Sequence, residues 1–165
     1  MSLDWKAVAV TGAGSGMGEQ TARTFARRGA DVAVVDIDSD AAGETVAAIR
    51  ADTDAEAVAV TADVSAADDV AGFINRTVEA FGAIDVLHNN AGIHQESTPV
   101  EDVTEATWDR IQDVNLKSAF LGAKYAVPRM REQGGGVILN TASTAGIRPR
   151  TGLSAYAASK GGMIT

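Results

Sequence analysis

A tyrosine and a lysine four positions apart, near the end of the chain, are the residues best suited to acid–base chemistry. Tyr156 and Lys160 enclose the stretch Tyr-Ala-Ala-Ser-Lys, and positions i and i+4 share one face of a helix. An unperturbed phenol titrates near ~10, which is high for a base at neutral pH, but a neighbouring ammonium favours the phenolate. The spacing therefore indicates a proton-transferring tyrosine. On its own, this pattern arises by chance more often than not.

Two further polar residues, Asn115 and Ser143, precede this pair. Ser143 follows an apolar, strand-like stretch that ends at residue 140. Asn115 lies inside a helix-like stretch among apolar neighbours, and asparagine is a poor helix former. Its presence there is explained either by a satisfied buried amide or by a role in a site.

A glycine-rich turn near the start of the chain has the pattern of an anion-binding site. The apolar run 8–10 breaks into Thr-Gly-Ala-Gly-Ser-Gly-Met-Gly, and a helix-like pattern begins at Glu19. Unpaired backbone N–H groups and the positive end of a helix dipole bind phosphate or pyrophosphate at such a turn. An ordinary strand-to-helix turn is the alternative, because a glycine-rich loop alone is a weak signal. The predicted contacts are Gly12, Ser15, Gly16, Met17 and Gly18.

One carboxylate closes the second strand-like stretch, and another follows the third. A carboxylate in the place of Asp36 accepts hydrogen bonds from the adenosine ribose hydroxyls and repels a 2′-phosphate. Since Ser15 and Ile37 offer no cation nearby, the predicted cofactor is NAD rather than NADP. The alternative is that Asp36 is one of several acids at the start of a helix. Asp63 and Val64 follow the third stretch, where such a pair is also typical of an ordinary helix start.

The stretch Asn89-Asn90-Ala91-Gly92 ends the fourth strand-like segment. Its small residues let the backbone approach a ribose, and its amides can tie neighbouring strand ends together. An asparagine-rich turn alone would be unremarkable. Its place after the glycine-rich turn makes it a stronger sign of a cofactor site.

In this order and spacing, the motifs resemble those of the short-chain dehydrogenase/reductase family, from Lys6 to the end of the chain. The resemblance implies an oxidoreductase that transfers a hydride between NAD(H) and a small secondary alcohol or ketone, without a metal. It rests on Thr11-Gly12-x-x-x-Gly16-x-Gly18, Asn89-Asn90-Ala91-Gly92, Asn115, Ser143 and Tyr156-x-x-x-Lys160.

The resemblance also implies a role for each residue. Tyr156 removes the alcohol proton or returns it to the ketone, and Ser143 orients the substrate oxygen. Lys160 hydrogen-bonds the nicotinamide ribose and favours the phenolate, and Asn115 with a water links Lys160 to solvent. Asp63 and Val64 contact the adenine. The cofactor ribose is contacted by Asn90, Ala91 and Gly92.

The same resemblance places the family's last strands, and the segment that covers the substrate, beyond Thr165. A non-catalytic NAD-binding fragment is therefore the alternative to an active enzyme. For the complete protein, the resemblance implies a homo-oligomer, either a dimer or a tetramer.

Strand-like and helix-like segments alternate along the chain and must position these residues. Apolar strands that alternate with helices predict an α/β fold, a doubly wound parallel Rossmann sheet in three layers (α/β/α), as one NAD-binding domain over 1–165. Ser65 is expected to cap the third helix, Pro128 to bend or end the long fourth helix, and Trp108 to anchor it. Strands are predicted at 6–11, 31–36, 56–61, 86–89 and 137–140, and helices at 19–29, 39–50, 65–81, 107–132 and from about 154.

Composition argues against several classes of protein. The net charge of −8 disfavours a nucleic-acid or anionic-membrane surface, since both need a basic face. The absence of cysteine excludes thiolate catalysis and disulfides and agrees with a cytoplasmic protein. No run approaches the ~20 apolar residues of a membrane span, and residues 1–5 lack the parts of a secretory signal.

Three other residues are open to more than one interpretation. His88, in the fourth strand, is interpreted as a packed core histidine rather than a proton donor. His94 and Gln95 follow the asparagine-rich turn, and they either line the mouth of the substrate site or lie in an exposed loop.

Overall fold

Parallel strands form a five-stranded sheet in the computed structural model, which describes residues 3–4, 6–148 and 150–165. The expectation for residues 1–5 concerns Met1, Ser2 and Trp5, which lie outside the described residues, as does Pro149. The strand order is β3-β2-β1-β4-β5, and every pairing is parallel. The strands are β1 (Ala7–Thr11), β2 (Asp31–Asp36), β3 (Ala57–Thr61), β4 (Val86–Asn89) and β5 (Val137–Asn140).

Helices connect the strands. A π-helical segment, Asp113–Lys117, joins α4 to α5, and short 3-10 turns lie at Val100–Asp102 and Thr144–Gly146. The helices are α1 (Gly16–Ala26), α2 (Ser39–Asp52), α3 (Ala67–Phe81), α4 (Glu105–Gln112), α5 (Ser118–Glu132) and α6 (Ser154–Ile164).

The alternation of side chains along the central strands builds two cores, one on each face of the sheet. On one face, Val8 and Val32 pack with residues of α1 and α2. On the other, Ala9 and Ala33 pack with residues of α3 and α5, including Phe73. Central strands buried on both faces explain the continuous apolar runs in the sequence. The predicted doubly wound, three-layer Rossmann fold is confirmed.

The first helix starts earlier than predicted, and this matters for the site. Ser15 has extended backbone, α1 begins at Gly16, and the carbonyl of Ser15 accepts the N–H of Glu19 at 3.1 Å. The glycine-rich turn therefore forms the first turn of the helix itself. Sequence periodicity places the start at Glu19 because glycine is a poor helix former.

The long helix predicted at 107–132 is interrupted where the sequence gives no sign of it. It begins at Glu105, two residues earlier than predicted, because the Thr104 hydroxyl accepts the N–H of Thr107 at 3.1 Å. In the π-helical segment, the N–H of Ser118 bonds the carbonyl of Asp113, five residues back. Such insertions often mark functional sites. The helix continues through Pro128 to its end, so Pro128 does not terminate it.

Two local expectations are wrong. Ala66, which offers no capping side chain, is the N-cap residue of α3, because the Ser65 hydroxyl instead donates to Asp63 at 2.6 Å. Trp108 is 42% exposed on α4 and is not a buried anchor.

Gly72 provides a test of helix stability that leaves the site untouched. It is exposed within α3, and a Cβ there would meet no atom of the described residues within 4 Å. We expect Gly72→Ala to raise the free energy of unfolding by about 0.5–1 kcal/mol, because glycine loses more backbone entropy on folding than alanine. Urea denaturation measures the change, and a lower free energy of unfolding would contradict the expectation.

Candidate active site

A cleft of about 400 Å³ opens at the carboxyl ends of the strands, where the strand order switches between β1 and β4. This is where ligands of doubly wound sheets bind. Its lining includes every predicted cofactor contact except Tyr156 and Lys160: Gly12, Ser15, Gly16, Met17, Gly18, Asp36, Asp63, Val64, Asn90, Ala91 and Gly92. Sequence reasoning missed five other lining residues: Ile37, Ala62, Ile93, Arg110 and Val114.

A larger cleft, of about 930 Å³, lies at the opposite ends of the strands. Its lining includes Arg27 and Asp52, and Asp52 forms ion pairs with Arg23 and Arg27 at 2.9 and 3.4 Å. None of the sequence motifs contributes to it. The smaller cleft is therefore the better candidate for the site, despite its lower volume.

The glycine-rich turn is held by close backbone contacts. A Cβ at Gly18 would overlap the carbonyl oxygen of Gly12 and lie 2.6 Å from Nδ2 of Asn90. Ser15, the N-cap residue of α1, makes no side-chain capping bond. The first-turn N–H groups of α1 are thus available to an anion at the cleft.

Asp36 supports the glycine-rich turn from the end of β2. Its Oδ2 accepts the N–H of Gly14 at 2.8 Å, and its Oδ1 accepts the N–H of Asp38 at 3.1 Å. A carboxylate oxygen has more than one acceptor site. Asp36 can therefore hold the turn and still accept hydrogen bonds from a ribose diol in the cleft.

The asparagine-rich turn ties three strands together, as its amides suggested. Asn89 donates from Nδ2 to Asn140 at 2.9 Å, which links β4 to β5. Asn90 donates from Nδ2 to the carbonyl of Thr11 at 3.0 Å. The N–H groups of Asn90 and Ala91 both donate to the Thr11 hydroxyl, at 3.0 and 3.1 Å. The floor of the cleft is consequently rigid.

Asn115 is a fully buried amide in the π-helical segment. Its Oδ1 accepts the N–H of Ile93 at 2.7 Å, and its Nδ2 donates to the carbonyl of Ile93 at 3.0 Å. A second bond from Nδ2 reaches the Ser159 hydroxyl on α6 at 3.2 Å. The satisfied buried amide that the sequence allowed is thus present, and it also links the cleft to α6.

Lys160 is buried beneath the cleft, one helical turn after Tyr156. Its side chain is 3% exposed, and its Nζ donates to the carbonyl of Thr141 at 2.6 Å. A Cβ at Gly92 would lie 3.5 Å from this Nζ and 3.2 Å from Oδ1 of Asn115. Burial lowers the pKa of Lys160, since desolvation disfavours the ammonium.

Tyr156 is half-buried on α6, and the ring of His94 meets it in an edge-on contact with centroids 5.4 Å apart. Ser143 lies at the start of the 3-10 turn after β5, where its hydroxyl accepts the N–H of Ala145 at 3.2 Å. This turn approaches α6 so closely that a Cβ on Gly146 would lie 2.6 Å from the backbone nitrogen of Gly161. The turn that carries Ser143 therefore has a fixed position relative to α6.

Asp63 is held as a carboxylate beside the cleft. Hydrogen bonds from the hydroxyl and the N–H of Ser65 lower the pKa of Asp63, and Arg110 lies 3.8 Å away. Arg110 lies near the start of the long helix and belongs to none of the sequence motifs.

The lowered pKa of His88 predicts that the free energy of unfolding depends on pH. Its Nε2 lies 2.9 Å from the Thr141 hydroxyl, while its buried Nδ1 has no hydrogen-bond partner in the part of the chain that the structure describes. Burial lowers the pKa of His88 from its ordinary 6.5. Below pH 6.5 the unfolded chain therefore binds more protons than the folded one, so the free energy of unfolding falls as pH drops through the lowered pKa.

We expect His88→Gln to remove this part of the pH dependence, because glutamine does not titrate. Thermal unfolding of both proteins from pH 7.5 to 5 measures it, and the wild type should lose more stability over that interval. Parallel curves for the two proteins would contradict the expectation.

These features define a Rossmann-type α/β domain with a ligand cleft at the switch in strand order. The family model described as short chain dehydrogenase matches residues 6–165. The chain therefore belongs to this family of oxidoreductases.

Several relatives have known names. Levodione reductase of Leifsonia aquatica is 41% identical over 160 residues, which cover 96% of this chain and 60% of the relative. Cyclohexanol dehydrogenase of Acinetobacter sp. is 39% identical over 158 residues, 96% of this chain and 62% of the relative. The crystal structure of NAD⁺-bound xylitol dehydrogenase is 34% identical with a TM-score of 0.95, and the match covers 99% of this chain and 63% of that one. The chain thus spans about three-fifths of the length of these relatives.

Two further observations concern the described residues alone. No helix among them is both long and apolar enough to cross a membrane. In the same part of the chain, no three His, Asp or Glu side chains are grouped as metal ligands would be.

Proposed function

We propose that residues 1–165 form one NAD-binding domain that carries the catalytic residues of an NAD-dependent oxidoreductase acting on a secondary alcohol or ketone. The observation that carries this proposal is the buried Lys160 amine, one helical turn beyond Tyr156 and next to Gly92 of the cleft. The uncapped start of α1 and the close approach of Gly18 to Gly12 support a pyrophosphate at the turn.

The proton chemistry is proposed for Tyr156. In oxidation, the alcohol carbon loses a hydride and the alcohol oxygen loses a proton, and Tyr156 takes that proton; in reduction it gives one back. The bound cofactor supplies the hydride chemistry. Ser143 is proposed to orient the substrate oxygen, since its turn is fixed against α6.

Lys160 and Asn115 are proposed to assist the proton transfer by Tyr156. An ammonium one turn away favours the phenolate, although burial opposes the ammonium itself. The short bond from Nζ to the Thr141 carbonyl stabilises the ammonium. The water relay implied for Asn115 remains a proposal, and its side-chain bonds to Ile93 and Ser159 support at least a positioning role.

An absorbance assay tests the proposed function. The protein is incubated with NAD⁺ and a panel of secondary alcohols that includes cyclohexanol and xylitol, chosen for the named relatives. NADH should appear with at least one alcohol. The absence of NADH with every alcohol, and of NADH consumption with the matching ketones, would count against the proposal.

Asp36 is proposed to select NAD over NADP. We expect Asp36→Asn to raise kcat/KM for NADP⁺ relative to NAD⁺ by about tenfold, because it removes the charge that repels a 2′-phosphate. Asparagine can still accept the N–H of Gly14. Asp40→Ala is the matched control, since it also removes one negative charge, from an exposed aspartate. Equal cofactor ratios in all three proteins would exclude Asp36 from selection.

A non-catalytic NAD-binding fragment is the second candidate. The chain spans about three-fifths of its relatives' length, and the edge strand β5 exposes Val137 by 52%. Calorimetry that shows NAD⁺ binding without turnover would favour this candidate. Turnover by the 165-residue chain would exclude it.

The remaining predictions concern partners and location. A homo-oligomer is supported by Phe120, which is 64% exposed on α5, and sedimentation tests it. A cytoplasmic location, and the absence of nucleic-acid and membrane partners, remain predictions.

A further inference from the structure

One peptide group, the unit that joins Ala155 to Tyr156, is held from both sides by glutamine side chains. Gln95, in the loop after β4, accepts the N–H of Tyr156 on Oε1 at 3.0 Å. Gln112, the last residue of α4, donates from Nε2 to the carbonyl of Ala155 at 2.9 Å. The two bonds approach opposite edges of the peptide plane, because N–H and C=O point in opposite directions in a trans peptide.

The bond from Gln95 replaces a cap that the helix lacks locally. Leu153, the N-cap residue of α6, has no side-chain oxygen to accept a first-turn N–H. Tyr156 is the third residue of α6, and its N–H is one that an N-cap side chain normally satisfies. Gln95 supplies that acceptor from a distant part of the chain.

Gln95 is buried at the place where its Oε1 accepts the N–H of Tyr156. Gln95 is 2% exposed, and its Nε2 has no hydrogen-bond partner among the described residues. An unpaired buried N–H group is costly, so the acceptor oxygen is the part of the amide that contributes. Of the two interpretations that the sequence left open for Gln95, the exposed loop is therefore excluded.

We infer that Gln95 and Gln112 form a clamp that fixes the peptide before Tyr156 and thereby aims its phenol at the substrate. Holding both edges of the peptide plane restrains ψ of Ala155 and φ of Tyr156, and so the direction in which the tyrosine side chain leaves the backbone. Both glutamines are positioning residues. The inference rests on the proposed role of Tyr156.

Glutamate variants give the two glutamines opposite expected outcomes. Gln95→Glu keeps an acceptor for the N–H of Tyr156 and should retain most of kcat. Gln112→Glu loses the donor and places carboxylate oxygens against the Ala155 carbonyl, so kcat should fall about tenfold or more. The KM for NAD⁺ should stay unchanged in both, since neither glutamine lines the cofactor cleft.

Methionine variants provide a check that introduces no charge. Gln95→Met and Gln112→Met remove the hydrogen bonds at similar volume, and each should lower kcat by about tenfold without raising the KM for NAD⁺. If Gln95→Glu does not fold, as judged by NADH binding, the two methionine variants test the clamp in its place. Equal losses in the two glutamate variants, or methionine variants with unchanged kcat and only lower melting temperatures, would overturn the clamp.

Amide hydrogen exchange tests the clamp without turnover. The Tyr156 N–H should exchange about fivefold or more faster in Gln95→Met than in wild type, because it loses its acceptor. In Gln95→Glu its exchange should remain slow. Unchanged exchange in Gln95→Met would refute the clamp, whereas inactivity of the wild type with all alcohols would refute only the proposed function.

Discussion

Tyr156→Phe is expected to lower kcat about 10³-fold, because positioned proton transfer contributes about 10²–10⁴-fold to such reactions. The variant deletes one oxygen atom and keeps the ring that meets His94. The affinity for NADH should remain that of the wild type. Steady-state kinetics with the best alcohol of the panel, together with NADH fluorescence titration, measures both quantities.

Tyr125→Phe is the matched control for this change. Tyr125 is the other tyrosine of the chain; it lies on α5, against the apolar core and near Nζ of Lys124. Its loss of a hydroxyl should leave kcat unchanged. If Tyr156→Phe turned over as fast as Tyr125→Phe, Tyr156 would have no part in the proton transfer.

Gly18→Ala is expected to weaken NAD⁺ binding by about 10- to 100-fold. The new Cβ would overlap the carbonyl of Gly12 and crowd Nδ2 of Asn90, so the backbone at the start of α1 must move. Overpacking of this kind costs about 1–3 kcal/mol. The free protein relieves it by moving the turn, and NAD⁺ must restore the turn in order to bind, so the cost lowers the affinity by about tenfold for each 1.4 kcal/mol. Calorimetric titration with NAD⁺ gives the affinity, and urea denaturation gives the accompanying loss of stability.

Gly72→Ala is the control here, because it adds the same methyl group to a helix where space is free. It should bind NAD⁺ as the wild type does. Equal affinities in Gly18→Ala and the wild type would show that the turn does not hold the cofactor.

The sheet and its motifs could be predicted because each depends on local chemistry. The runs at Val8–Val10 and Val32–Val35 are buried on both faces, so apolar character alone marks them as central strands. The glycines of the turn and the pair Tyr156 and Lys160 are recognised by residue type and spacing. The parallel order then brings their strand ends to one edge of the sheet.

The contacts that join distant segments could not be predicted in the same way. Gln95 and Gln112 look like ordinary loop and helix residues, and only the folded chain brings them to the same peptide group. The π-helical segment at Asp113–Lys117 has no compositional signature. Arg110 lies inside the predicted helix, but only the folded chain brings it to the cleft and to Asp63, which lies in a separate loop.

A crystal structure with NAD⁺ bound is the most direct test of the central claim. We predict that the adenosine ribose hydroxyls hydrogen-bond Asp36, that the pyrophosphate lies on the turn at Gly16, and that the nicotinamide ring lies beside Tyr156 and Lys160. A complex with the pyrophosphate away from this turn, or with the nicotinamide ring out of reach of the Tyr156 hydroxyl, would contradict the proposed mechanism.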